Sequence, residues 1–372
     1  MDYKQDFVLN NHCYLLSHSV GRPLKTAEHI AHQQFFQPWQ YSNADPWAQW
    51  LCVITQFQTA LAQLFNAHPD DFCPQVNLSS ALCKIITAIP SFNTPTPTIL
   101  MAEDDFPSMA FALEHSRNHQ LNLRFIPKGS NLTDIACWQR YLTYEVDLVF
   151  ISHAYSNTGQ CSPVQDIIAL TQQFNCISVV DCAQSAGVIP LDLKALNADF
   201  VIGSSVKWLC GGPGAAFLWV NPLRVSHCTP QDVGWFSHRN PFEFDIHHFE
   251  YHNTALRFWG GTPSILPYAI AAQSIAYFAA IGVQQVRQHN VALLDKIHAA
   301  LPSWCVSPQQ PEFASGTCIL DFQHQQLNVL EKLQHHNISV DVRASGIRLS
   351  PHIYTDMNDI ERLITAIEEA LQ

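Results

Sequence analysis

Asp181-Cys182-Ala183-Gln184-Ser185-Ala186-Gly187, followed by Ala198-Asp199-Phe200-Val201-Ile202-Gly203-Ser204-Ser205-Val206-Lys207-Trp208-Leu209-Cys210-Gly211-Gly212-Pro213-Gly214, is the stretch whose reading decides the fold. The apolar run Cys176-Ile177-Ser178-Val179-Val180 leads into Asp181 and predicts a buried strand. Asp199 to Ser204 predicts a second strand, and Phe217-Leu218-Trp219-Val220 a third after the glycine-rich turn. Upstream, Asp147 to Ser152 has the same character, and Pro163 to Phe174 reads as a helix between strands. Short apolar strands separated by helices imply an α/β fold with mostly parallel strands. Such sheets build their sites beyond the C-terminal strand ends, where Ser152, Asp181 and Ser204 fall.

Outward from this block the pattern changes. The first forty residues are polar and loop-like, with the punctuated stretch His18-Ser19-Val20-Gly21-Arg22-Pro23. Leu51 to Phe65 predicts a helix. Leu78-Ser79-Ser80-Ala81-Leu82, with Ile85, Ile86 and Ile89, predicts a helix entry with N–H groups free to meet an anion. Serine at such a place is more commonly a simple cap. Beyond about Leu256, Ile265 to Val286 and Val291 to Ala300 read as helical, Thr317 to Phe322 as a strand, and Leu327 to His335 as a helix. Ile338 to Val342 alternates as a half-buried strand, Arg343 to Ser350 reads as a turn and strand, and Asp356 to Leu371 closes as an amphipathic helix. The expected division is a large domain at 40–256 and a smaller α+β domain at 257–372, packed with residues 1–39.

Composition narrows the class. The 372 residues carry 19 Lys and Arg against 31 Asp and Glu, a net charge of -12 that argues against a broad nucleic-acid surface. Apolar residues at 47% make disorder a poor description of the chain. The 12 cysteines show no compact metal-binding series, so reduced thiols and no metal are expected. No run of transmembrane length and no signal-like start leave a cytoplasmic placement, away from membranes, as the expectation.

Lys207 and Asp181 follow neighbouring strand ends. An enzyme using pyridoxal 5'-phosphate (PLP) needs a lysine to form an imine with the cofactor aldehyde and to shuttle protons. A carboxylate beside the pyridine nitrogen keeps the ring protonated and strengthens its electron sink. A lone lysine after a strand is more often a surface residue, so the surroundings must carry the assignment.

They do so by resemblance. Asp181 through Leu193 resembles the aspartate block of class V aminotransferases, and Ala198 through Gly214 resembles their lysine block. The likeness extends from about residue 76 to residue 353. It implies a PLP-dependent transferase fold of type I, with a mostly parallel seven-stranded sheet and PLP as cofactor. Lys207 would be the Schiff-base lysine, Asp181 the partner of the pyridine nitrogen, and Gln184 a contact of the 3-oxygen. Ser79, with the backbone of Leu78, and Ser204 would hold the phosphate. Thr262, in Gly260-Gly261-Thr262-Pro263, resembles a phosphate ligand supplied across a homodimer with shared active sites. Phe106, in Phe106-Pro107-Ser108, would stack on the pyridine ring; the alternative is a core phenylalanine.

Val233-Gly234-Trp235-Phe236-Ser237-His238, with Phe242-Glu243-Phe244, resembles the Gly-Trp segment of kynureninases. Trp235 would border an aromatic substrate, and His238 would close the pocket or serve as a core histidine. Departures from that family are Gln184 for a histidine, Val206 for a tyrosine, and Met109 for an acidic cofactor contact. Gly260 or Gly261 stands where an asparagine is expected. Arg343 through His352 resembles the substrate-carboxylate region, with Arg348 as a bidentate clamp; its alternative is a structural salt bridge. Cysteine desulfuration is disfavoured, because residues 324–347 contain no cysteine and Cys318 reads as core. The resemblance therefore implies a kynureninase-like PLP enzyme acting on a small amino-acid substrate through an external aldimine and a quinonoid-type carbanion. Class V aminotransferase or amino-acid epimerase, and a noncatalytic PLP-fold protein, are the alternatives.

Overall fold

The structure, a computed structural model, describes residues 3–10, 12–90, 96–116 and 120–372. Its centre is a seven-stranded sheet: β1 (Phe72–Gln75), β2 (Thr98–Ala102), β3 (Asn122–Ile126), β4 (Leu148–Ser152), β5 (Ile177–Asp181), β6 (Phe200–Ser204) and β7 (Ala216–Val220). Their spatial order is β1-β7-β6-β5-β4-β2-β3. The five strands from β6 through β3 run parallel, while β7 pairs antiparallel with both β6 and β1. The parallel order is the one implied by the apolar runs. β7 reverses because residues 205–215 hold no crossover helix, and a parallel return needs one. That same short connection contains Lys207.

Strand alternation sorts side chains into two apolar layers. Val149, Ile151, Val180 and Val201 enter one core cluster, while Leu148, Phe150, Val179, Phe200 and Ile202 enter the other. Helix α1 (Trp47–Phe65) buries Val53, Ile54, Phe57, Leu61, Leu64 and Phe65 on the first layer and ends at Asn66 in a left-handed conformation. Helices α2 (Leu78–Ala88) and α3 (Pro107–Glu114) lie on the second. Helix α4 (Leu266–Ile281) buries Tyr268, Ala269, Ala271, Ala272, Ile275 and Phe278 in the first cluster beside α1. Its packing is with the large sheet, although its place after residue 257 suggested the C-terminal unit. The long helix expected over 265–286 breaks at Gly282, whose φ of 88° ends α4 and starts α5 (Val283–Ala300). Among the described residues no single helix is long and apolar enough to cross a membrane.

A third cluster forms around a small antiparallel sheet of β8 (Cys318–Leu320), β9 (Asp341–Arg343) and β10 (Gly346–Leu349), in the order β9-β10-β8. Cys13 and Leu15 from the N-terminal segment belong to it, with Leu293, Ile297 and the inner face of helix α6 (Met357–Leu371). Asp356 caps α6 by accepting from the Asp359 N–H at 2.9 Å.

His352 ties this unit to the lysine turn. It is fully buried, its ring stacks on Phe278 at 5.2 Å, and its Nε2 donates to the Trp208 carbonyl at 2.7 Å. Burial lowers its pKa to about 4 from 6.5, so it folds neutral. That contribution is present above about pH 6.5 and is lost as pH falls towards the folded value. We expect His352→Phe to flatten the acid side of the stability profile, removing roughly 2 kcal/mol of the loss between about pH 6.5 and 5. Urea midpoints of both proteins across that range check it; parallel slopes would show that His352 is not the titrating group.

Candidate active site

Three parallel strands end on polar residues at one edge of the sheet. Asp181 closes β5, is 8% exposed, and accepts from the Ala183 N–H at 2.7 Å through Oδ1. Burial raises its pKa, opposed by the Lys207 charge and that backbone N–H. Lys207 lies in the β6–β7 connection, with its Nζ 5.9 Å from the centre of the Phe106 ring. Burial lowers its pKa; Asp181 opposes the shift and the Arg348 charge adds to it. A neutral amine is the nucleophilic form, so this environment suits covalent attachment to an aldehyde.

The lysine turn is held from outside. Gly21 donates its N–H to the Val206 carbonyl at 2.8 Å, and a Cβ there would lie 2.1 Å from the Lys207 carbonyl oxygen. The N-terminal segment thus closes on the turn only because residue 21 is glycine. Trp208 is buried, and its indole donates to Gln184 Oε1 at 3.2 Å. Gln184 Nε2 donates to the His18 carbonyl at 3.0 Å, leaving one amide hydrogen for a further acceptor.

Phe106 caps the start of α3 and is 62% exposed, so it is no core phenylalanine. Asp105 positions it: buried Oδ1 accepts from Ser152 Oγ at 2.6 Å and Oδ2 from the Ala102 N–H at 2.8 Å. Burial lifts the Asp105 carboxyl to about 7, with Asp181 adding to the rise and the Ser152 and Ala102 donors opposing it. Sequence reading missed this residue, whose only signal was its place before Phe106-Pro107. Met109 is buried in the second core layer.

Arg348 of β10 is 5% exposed and occupied along one edge: Nε donates to Asp341 Oδ1 at 2.8 Å, and Nη2 to Oδ2. Its Nη1 faces Ser156 Oγ at 3.1 Å and Asn157 Oδ1 at 3.2 Å. The salt bridge considered for Arg348 is therefore present, and the end turned to Ser156 and Asn157 is what remains for a ligand. His18 completes the network, with Nε2 3.0 Å from Asp341 Oδ1 and Nδ1 2.6 Å from Ser350 Oγ. Burial holds the His18 pKa down, and its hydrogen bond to Asp341 pulls the other way. His18, Asp341, Ser156 and Asn157 were not singled out from sequence as site residues.

The remaining expected residues form neighbouring groups. Leu78 and Ser79 open α2, where Asn77 accepts from the Ser80 N–H at 2.8 Å. Ser79 lines an open cleft of 780 Å³ with Ser80, Lys84, Ser108 and Asp232; Lys207 is outside its lining. Ser204 is half-buried at the end of β6, and its Oγ accepts from the Val206 N–H at 3.4 Å. Trp235 is drawn to Thr262 rather than to Lys207 within one chain, its indole donating to Oγ1 at 3.3 Å. It packs among Trp47, Phe236, Phe242 and Phe244. His238 is tied to Glu243 and to the Glu250 backbone, which makes it a structural histidine.

The donor set fits PLP. An exposed ring face, a buried carboxylate with one oxygen left over, a buried amine and a serine-bearing helix start answer to a flat cationic ring with an aldehyde and a phosphate.

Comparison with known proteins agrees. The profile of the family described as Aminotransferase class-V matches residues 53–363. The chain is 24% identical to the "Uncharacterized aminotransferase YcbU" of Bacillus subtilis (strain 168), over 98% of this chain and 96% of that one. It is 28% identical to a kynureninase of Burkholderia mallei (strain SAVP1), over 78% and 71%. Among solved structures, a C-DES lysine mutant with glycine covalently linked to the PLP cofactor superposes with a TM-score of 0.87, covering 98% of each chain at 20% identity. At that identity the likeness concerns the fold.

Proposed function

The chain belongs to the class V aminotransferase family of PLP-dependent enzymes, and on that premise we propose that it cleaves an amino acid in the manner of a kynureninase. The observation that carries this reading is the joint placement of Lys207, Asp181 and the exposed Phe106 ring beside the Arg348 guanidinium. The kynureninase likeness over most of the chain supports the choice of reaction. Bound there, PLP supplies an aldehyde for the amino group and a sink for electrons released at the α-carbon. Lys207 would hold the cofactor covalently and, as a free amine, would take or return a proton at the substrate α-carbon. Asp181 would keep a proton on the ring nitrogen. Phe106 would cover the cofactor ring, and Gln184 would offer it the remaining amide hydrogen. Arg348 would bind and orient the substrate carboxylate through the end now facing Ser156 and Asn157.

The same reading makes the protein a homodimer, with Ser79 and Ser204 holding phosphate from one copy and Thr262 from the other. Trp235, bonded to Thr262, would then border the substrate in the partner's site.

A substrate screen of the PLP-loaded protein, read by mass spectrometry, decides the reaction. Anthranilate plus alanine from kynurenine is the expected result. Amino transfer that depends on an added oxoacid would replace the hydrolytic reading with an aminotransferase one. We also expect Asp181→Asn to keep PLP attached and to slow deuterium exchange at the substrate α-carbon by about 10²–10³-fold, because a preorganised charge is lost where the developing charge is stabilised. Wild-type exchange in that variant would remove Asp181 from the role.

A further inference from the structure

Twelve cysteines without compact spacing predict no metal site, yet three donors meet in space on the far side of the small sheet. His298 comes from the last turn of α5. Cys305 follows on the segment bridged to Leu320, and Cys318 opens β8. The two sulfurs lie 3.8 Å apart, and a ring nitrogen of His298 lies within 4.8 Å of both. No disulfide joins them.

We propose that His298, Cys305 and Cys318 bind a thiophilic divalent cation of the zinc type. Bonds of about 2.3 Å to two thiolates at tetrahedral angles put the sulfurs about 3.8 Å apart, the spacing found. His298 supplies the independent sign of a ligand: it is only 8% exposed, and its Nε2 is buried without a hydrogen-bond partner among the described residues. A buried imidazole nitrogen left unpaired costs free energy that a metal bond would recover. Two sulfurs and one nitrogen select zinc over the hard cations magnesium and calcium. Binding moves the two thiol protons to solvent and involves no change of oxidation state. The fourth position is left to water, beside Ser307 Oγ, which is 3.5 Å from Cys305 Sγ and accepts from the Ile319 N–H at 3.0 Å. Cys305, half-buried, gives the ion its entrance.

The site is separate from the PLP chemistry. In the β8–β10 register Cys318 stands opposite Leu349, and Ile319 opposite Arg348, so Cys318 and Arg348 point to opposite faces. The ion would hold β8, the β10 partner strand, from behind.

The test uses the full-length PLP-loaded protein, reduced with a phosphine and freed of metal by a chelator. Cobalt(II) is titrated in and read by its d–d bands, which lie to the red of PLP absorption. The expected result is saturation at a single equivalent with tetrahedral intensity, displacement by zinc, and a zinc-dependent rise in melting temperature. Cys305→Ser, at a half-exposed position, and His298→Gln are each expected to lose the bands while keeping PLP attached. Saturation unchanged in Cys305→Ser would overturn the proposal. So would failure of the reduced wild-type protein to bind cobalt, including the case where mass spectrometry finds only a Cys305–Cys318 disulfide before reduction.

Discussion

Lys207→Ala is expected to abolish covalent attachment of PLP and to lower turnover by about 10³–10⁴-fold, the range of a general acid–base group that also loses its nucleophilic role. Before PLP binds, the amine lies 5.9 Å from the Phe106 ring and opposes the burial-driven rise of the Asp181 carboxyl, so alanine removes both interactions. Burial then acts on Asp181 with less opposition, and its carboxyl rises further. PLP should still enter, since Ser79, Phe106 and Gln184 are untouched, but it should wash out on dialysis. Borohydride reduction followed by peptide mass spectrometry reads the attachment directly. Lys207→Arg separates charge from nucleophilicity: it restores a cation near Asp181 but no attacking amine. A reduced adduct still found in Lys207→Ala, or turnover within tenfold of wild type, would show that another group holds the cofactor.

How much of this was legible in the sequence follows from how local each feature is. Strands β4, β5 and β6 are buried on both faces and therefore appear as apolar runs; Asp181 ends β5 and Lys207 follows shortly after β6. The sheet centre and its two chemical residues could be read together. β1 and β2 gave weaker signals because prolines interrupt the pattern, Pro74 inside β1 and Pro97 just before β2. α4 is apolar all round and sits inside the large core, so helical periodicity could not say which unit it serves. Arg348 itself was read as a clamp or a salt-bridge residue, but its partners were illegible for another reason. His18 meets Asp341 from 323 positions away, and Ser156 meets Arg348 from 192. His18, Asp341 and Ser156, each taken in its own sequence neighbourhood, are ordinary loop or strand-end polar groups. The Phe106 outcome is intermediate: residue type alone suggested core and the resemblance suggested a stacking ring, and its cap position at α3, beside Asp105, leaves the ring exposed.

The second large effect is expected at Arg348. Burial alone would raise the Asp341 carboxyl, but donors from His18 and Arg348 outweigh it and hold that group far below the usual carboxylate range. Asp341 is thus a fixed anion that locks the Nε–Nη2 edge of the guanidinium. The opposite end is aimed at Ser156 and Asn157, two neutral acceptors that a substrate carboxylate can displace. Two charge-assisted bonds at about 1.5–3 kcal/mol each predict a fall of about 10²–10⁴-fold in kcat/KM for Arg348→Ala. The variant also strands Asp341, so a lower melting temperature is expected and cannot by itself prove the clamp. Substrate discrimination can. Wild type should prefer an amino acid over its carboxamide, and Arg348→Ala should lose most of that preference. Asp341→Asn keeps the guanidinium but loosens its lock, and should weaken the preference by about tenfold, in line with loss of one orienting charged contact. If Arg348→Ala still favoured the free carboxylate as strongly as wild type, the residue would be a strut between β9 and β10, and the substrate would be oriented from elsewhere.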